Sequence, residues 1–180
     1  IWREKGLTVP PISINISGQE FCDLRLPHLI RLALEEFDLP ARALVVEVTE
    51  GSLVQDNETA VEVFKSLAQI GLHISLDDFG MGYSSLSYLR RLPLNSIKMD
   101  RSFIKNLPDD TDSAAIVRAI ISMARHLNLG VVAEGVEHTI QAEYLLRLGC
   151  KYAQGYLYSP AMDSSGVQKY LEQLNAKNFN

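Results

Sequence analysis

The sequence predicts an α/β fold with a parallel sheet, and within that class a (β/α)8-type barrel, on three observations. Six strand-like runs alternate with six amphipathic stretches at a spacing of roughly 22 to 34 residues, which implies parallel pairing through right-handed crossovers. No Gly-x-Gly-x-x-Gly follows the first run, which argues against an open dinucleotide-binding sheet. Every run carries a polar residue toward its carboxyl end, as expected where strand carboxyl ends line one mouth. A complete barrel has eight units and typically about 250 residues, so six units in 180 residues predict a barrel whose first strand–helix units are missing from this chain.

The elements follow in order. ISINIS (12–17) leads into PHLIRLALEEF (27–37), where Pro27 suits the first helical turn and Ile30, Ala33, Leu34 and Phe37 share a face. LVVEVTE (44–50) leads into NETAVEVFKSLAQIG (57–71), with Val61, Phe64, Leu67 and Ala68 facing inward and Gly71 as the stop. HISLDDF (73–79) precedes a short helix, SSLSYLRRL (84–92), capped by Ser84 or Ser85. SIKMD (96–100) precedes the loop-rich NLPDDTD (106–112) and a helix over 112–128, with Asp112 or Ser113 as N-cap and Ile116, Ile120, Met123 and Leu127 in one stripe. GVVAEGV (130–136) leads into TIQAEYLLRLG (139–149), and YAQGYL (152–157) into GVQKYLEQL (166–174).

Composition bounds the function. A 47% hydrophobic content over this length suits one well-buried core, and 17 basic against 22 acidic residues, net -5, exclude a non-specific nucleic-acid binder. Cys22 and Cys150 have no metal-ligand spacing and read as reduced core thiols of a cytoplasmic protein. No run reaches the ~18 apolar residues of a membrane span, so no membrane contact is expected from this segment. The opening IWREKGL is neither a signal nor a transit peptide and lacks an initiator Met, which suggests a chain cut from something longer.

Read together, the strand ends carry Asn15, Glu47, Asp77 with Asp78, Lys98 with Asp100, Glu134 and Gln154. Each alone has a bland explanation: Asn15 as a turn cap, Lys98 as a solvated charge, Gln154 as a partner for loop backbone. The set does not. Carboxylates gathered in a partly dry cavity repel one another and cost several kcal/mol each in desolvation unless cations neutralise them. All-oxygen donors suit hard divalent ions, Mg²⁺ or Mn²⁺, rather than zinc. His28, His73, His126 and His138 form no i, i+4 ligand pair and receive no chemistry. Adjacent aspartates let one carboxylate bridge two ions ~3.5–4 Å apart, the device used to hydrolyse phosphate esters. Gly80 and Gly82 permit a tight loop leaving that site. A phosphate-cradling loop is the rival reading, but a lone Gly-x-Gly is weak support, and no Gly-x-Ser-x-Gly elbow supports a serine nucleophile.

SINIS (13–17), EVTE (47–50), DDFGMGYSSLSYLRRLPLNSIKMDRSFI (77–104), VVAEGVE (131–137) and GCKYAQGYLYS (149–159), in that order and spacing, resemble the EAL domain, the bacterial cyclic di-GMP phosphodiesterase family. The resemblance spans essentially the whole chain, 1–180, as the C-terminal three quarters of a modified TIM-type barrel. It implies hydrolysis of cyclic di-GMP to linear 5'-pGpG with two Mg²⁺ or Mn²⁺ ions. It further implies that Asn15, Glu47 and Asp77 hold one ion and that Asp77 or Asp78 serves the other with Glu134, Asp100 of Lys-x-Asp being a helper. Lys98, by the same resemblance, lies near the attacking water, and Gln154 helps position that water or a metal. Glu50 would anchor the Gly80–Ser85 loop, and Glu137, matching the second glutamate of Glu-Gly-Val-Glu, would likewise serve as support. That loop implies a homodimer, and the family implies an upstream GGDEF or sensor domain in a parent protein that can be membrane-anchored elsewhere.

Two departures stand out. The namesake Glu-Ala-Leu segment and the arginine after it lie outside this chain, and YSPAMD (158–163) has Pro160 where the family usually carries a basic residue after serine. A catalytically silent cyclic di-GMP receptor is the alternative reading. Such receptors usually lose metal ligands, whereas every ligand visible in this sequence is present. An unrelated metal-assisted barrel enzyme, such as an enolase-like lyase, would need other base placements.

Overall fold

Six short runs form strands: β1 (Ile12–Asn15), β2 (Leu44–Thr49), β3 (His73–Phe79), β4 (Ser96–Met99), β5 (Gly130–Ala133) and β6 (Tyr152–Ala153), with β4 buried throughout and the edge strands β1 and β6 largely exposed. The computed structural model describes residues 2–53, 58–82 and 89–178. All neighbouring strands pair parallel, in the order β1-β2-β3-β4-β5-β6, so every carboxyl end emerges on one side. Helices α1 (Leu26–Glu36), α2 (Glu58–Ile70), the short α3 (Arg101–Ile104), α4 (Thr111–His126), α5 (Thr139–Arg147) and α6 (Ser164–Asn178) connect or follow them. This is the expected TIM-type topology with fewer than eight strands.

Alternation along the strands divides two environments. Val46, Val48, Ile74, Leu76, Ile97, Met99 and Ala133 are almost fully buried in the apolar core. The opposite parity, including Ser13, Glu47, Ser75, Lys98 and Gln154, lines a concave cavity of about 610 Å³. The sheet curls around it: Lys5, ahead of β1, donates from Nζ to Gln168 Oε1 on α6, beyond the far edge strand, at 2.8 Å. Exposed Ile12 and Tyr152, on β1 and β6, leave two edges able to accept further strands.

Several local expectations need correction. On α1 the buried residues are Leu26, Pro27, Ile30 and Leu34, whereas Ala33 and Phe37 are exposed, because the helix packs on α2 along one i, i+4 row only. On α4 the buried stripe is Ala114, Val117, Ile121 and Ala124 together with Ile120, and Ile116 is exposed. Two small alanines on that stripe allow close approach to the sheet, which bulk at Ile116 would oppose. The N-cap of α4 is Asp110, whose carboxylate accepts from Asp112 N and Ser113 N, rather than Asp112 or Ser113. Cys150 is a buried free thiol as expected, but Cys22 is exposed, next to the buried Phe21 that stacks on Phe64. The proposed caps Ser84 and Ser85, and most of the helix expected over 84–92, lie outside the described residues.

Gly155 locks β6 to the loop after β5. Its φ is 152°, and a Cβ there would lie 2.3 Å from Val136 O and 2.4 Å from Val136 N, both backbone atoms that cannot rotate away. Gly155→Ala is therefore expected to destabilise the fold by about 3 kcal/mol or more. Thermal unfolding would register this as a fall of roughly 6–12 °C in Tm.

Candidate active site

Three strands aim charged residues at one point. Lys98, only 6% exposed on β4, donates from Nζ to Glu47 Oε2 on β2 at 2.7 Å, and lies 2.8 Å from Glu134 Oε1 and 3.2 Å from Asp77 Oδ1. The burial of Lys98 opposes its charge, but hydrogen bonds to Glu134 and Glu47 outweigh that and raise its pKa above the ordinary lysine value. It is an ammonium at neutral pH. One positive charge thus ties together carboxylates from β2, β3 and the loop after β5.

Adjacent strand residues ordinarily point to opposite faces, so a single site for both Asp77 and Asp78 requires a break in the alternation. The structure supplies one: the β3–β4 register shifts between Leu76 and Phe79, and Asp78 adopts φ 55°. Aspartate tolerates that left-handed conformation better than most residues. Carboxylate oxygens of Asp77, Asp78 and Glu134 consequently lie within 4.8 Å of one another. Desolvation, then the nearby Asp77 and Asp100 charges, raise the Asp78 pKa. Desolvation likewise raises that of Glu134 against the pull of Lys98. Such oxygens resist carrying charge together, and the donor set fits a hard divalent cation.

The remaining candidates surround this cluster. Asn15 ends β1 in register with Glu47 and is exposed on the edge strand. Asp100 caps α3, accepting from Ser102 N at 2.8 Å; burial opposes its charge, but bonds from Ser102 prevail and lower its pKa. Gln154 donates from Nε2 to Glu134 Oε1. Glu50 is buried, and its Oε2 accepts from Gly80 N at 2.8 Å and Gly82 N at 3.2 Å, which ties down the loop leaving the two aspartates. Glu50→Ala leaves those amides without this acceptor and is expected to cost about 1–3 kcal/mol, with faster hydrogen exchange at Gly80 and Gly82. Glu137 is exposed, and its backbone N–H rather than its carboxylate is engaged, by Gln141. A larger groove of about 850 Å³ between α1 and α2 shares no residue with this cluster.

Sequence reasoning overlooked Gln141, which is 2% exposed and makes four hydrogen bonds beneath the loop that carries Glu134. Its position three residues after His138, at N3 of α5, is the capping-box position that could have flagged it.

Comparison with known proteins identifies the family and the fold. A family model described as the EAL domain matches residues 2–161. The bifunctional diguanylate cyclase/cyclic di-GMP phosphodiesterase MucR of Pseudomonas aeruginosa is 43% identical over 162 residues, 90% of this chain and 24% of MucR. The chain therefore spans about a quarter of the length of that relative. The PaMucR phosphodiesterase in complex with c-di-GMP superposes at a TM-score of 0.82 over 87% of this chain and 70% of that one. The EAL domain of Mycobacterium smegmatis DcpA, 38% identical, gives 0.90 over 96% and 78%. Klebsiella pneumoniae BlrP1 in a manganese/cy-diGMP complex, 28% identical, gives 0.76 over 82% and 38%.

Proposed function

We propose, since this chain belongs to the EAL-domain family, that residues 1–180 form the C-terminal three quarters of a barrel that hydrolyses cyclic di-GMP to linear 5'-pGpG. The observation that carries this reading is Lys98 held among Glu47, Asp77 and Glu134 beside the Asp78 carboxylate, at the carboxyl ends of a parallel sheet. Asn15, Glu47 and Asp77 would hold one Mg²⁺ or Mn²⁺ ion, and Asp77 or Asp78 with Glu134 the other, Asp100 standing beside them. Bound there, such ions polarise the phosphodiester and lower the pKa of water.

The chain's own groups do the rest. The bond that forms joins a water oxygen to phosphorus, and the bond that breaks joins phosphorus to the ribose 3'-oxygen. Lys98, held among Glu47, Asp77 and Glu134, stands where its Nζ donates to the water and offsets charge developing on the phosphoryl oxygens. A cluster carboxylate takes the water's proton, and the departing oxygen is reprotonated from solvent. Gln154 fixes the rotamer of Glu134, while Glu50 holds the loop after β3; the support expected of Glu137 has only its backbone N–H, bonded to Gln141, behind it.

The wider assignment follows the same reading: a homodimer through the loop after β3, a cytoplasmic site of action on a nucleotide messenger, and an upstream GGDEF or sensor domain. The name of MucR, which joins a cyclase to a phosphodiesterase, supports the last. No helix among the described residues is long and apolar enough to cross a membrane. The test is incubation of the full-length protein with cyclic di-GMP in Mg²⁺ or Mn²⁺ and in a chelator, followed by chromatography. Formation of pGpG only with metal is expected. Intact binding with no pGpG in either condition would assign the chain to the receptor class instead.

A further inference from the structure

Gln141 lies on the first turn of α5 and is almost fully buried, yet the reaction as described does not use it. Its Oε1 accepts from Glu137 N at 2.8 Å and His138 N at 2.9 Å, the end of the segment that begins at Glu134. Its Nε2 donates to Ile104 O and Lys105 O, each at 3.1 Å. Those carbonyls belong to Ile104, the last residue of α3, and Lys105, its C-cap; Ile104 O also accepts from Leu107 N, so Gln141 adds a donor where the helix runs out of its own. All four bonding positions that this side chain deploys are filled, as a buried amide requires.

The bridge closes a frame around Glu134. At one end, Glu134 N donates to Met99 O, fixing the residue to β4. At the other, the loop crosses the start of α3 so closely that a Cβ on Gly135 would lie 2.5 Å from Arg101 Cβ. Helix α3 is itself capped by Asp100 at its amino end and held by Gln141 at its carboxyl end. The Glu134 loop and α3, with Asp100, are thereby joined through one side chain, and an amide is the group that can accept from one segment while donating to the other.

We propose, building on the metal-dependent reading above, that Gln141 is the positioning residue for Glu134: it holds the loop against α3 so that the Glu134 carboxylate stands within reach of Asp77 and Asp78. It touches neither substrate nor reacting atoms. Its effect passes through Glu134 alone.

The test measures Mn²⁺ affinity by titration calorimetry in the full-length protein and in Gln141→Met, which removes all four bonds, and Gln141→Glu, which keeps an acceptor for the loop amides and loses both donors to α3. A loss of about 10–100-fold in affinity is expected in each, with turnover recovering at high Mn²⁺, a rescue that a merely structural role would not give. In a Glu134→Gln background the same substitutions should change Mn²⁺ affinity by less than about twofold. Affinity within about twofold of the unsubstituted protein overturns the proposal, as does an equal further loss in the Glu134→Gln background. If Gln141→Met fails to fold, Gln141→Glu decides; collapse of both overturns it, making Gln141 a determinant of the whole domain. Absence of Mn²⁺ binding by the unsubstituted protein is a separate outcome, which sinks the metal reading and this inference with it.

Discussion

Replacing Lys98 by methionine is expected to reduce turnover of cyclic di-GMP by at least about 100-fold while leaving Mn²⁺ affinity unchanged or raising it. The two effects separate because Lys98 plays two parts. Its ammonium contacts three carboxylates at 2.7 to 3.2 Å in a buried setting. Removing it leaves like charges uncompensated, which costs about 3–5 kcal/mol where a buried pair is broken. A divalent ion bound among the same oxygens supplies the missing positive charge, so Mn²⁺ should restore most of that stability. It should not restore turnover, because the donor proposed to face the developing phosphoryl charge is gone. Methionine is preferred to alanine here because it keeps the side-chain length and avoids a cavity beneath the cluster. Thermal unfolding with and without Mn²⁺, beside steady-state kinetics, reads both halves.

Glu134→Gln is expected to weaken Mn²⁺ binding by more than the ~10–100-fold typical of losing an outer-shell partner, and to abolish turnover at low metal. Glu134 combines three roles: its oxygens lie in the Asp77–Asp78 cluster, its Oε1 accepts from Lys98, and the same atom accepts from Gln154. The amide is nearly isosteric but removes the charge that a hard cation requires. Because burial already raises the carboxyl's pKa, the neutral form is well tolerated, and the substituted protein should fold. Glu143→Gln, an exposed change on the same α5 segment, should leave both metal affinity and turnover as they were. Calorimetric titration with Mn²⁺ of the two variants side by side checks this.

The parts of this picture that were legible in the sequence are those that follow from period-two alternation and parallel order. Glu47, Asp77 and Lys98 share strand parity, and that is why three residues far apart in sequence meet. Glu50 as the loop anchor was legible only through the family resemblance, and the hydrogen bonds to Gly80 and Gly82 give it a physical basis. The left-handed turn at Asp78 was not legible, since alternation alone sends that carboxylate to the helix side; the register shift between Leu76 and Phe79 depends on tertiary pairing. The α4 stripe was misplaced because apolar bulk was read as the packing signal, while close contact with the sheet selected Ala114 and Ala124. The capping-box spacing from His138 to Gln141 marked only the local half of its bonding, to Glu137 N and His138 N; the other half, to Ile104 O and Lys105 O, joins a distant segment that no local pattern encodes. Cys22 was assigned to the core by residue type alone, and its exposure reflects the short turn after β1 where only Phe21 faces inward.

The account depends on divalent cations residing among oxygens contributed by β3 and the loop after β5. A crystal of the full-length protein grown with Mn²⁺ and measured at the manganese absorption edge addresses this directly. Anomalous density should sit within about 2.0–2.3 Å of oxygens from Asp77 or Asp78 and Glu134, the range of hard-ion ligation. Density confined to other residues, or none at full Mn²⁺ loading with Lys98 still bridging Glu47, Asp77 and Glu134, would contradict the account.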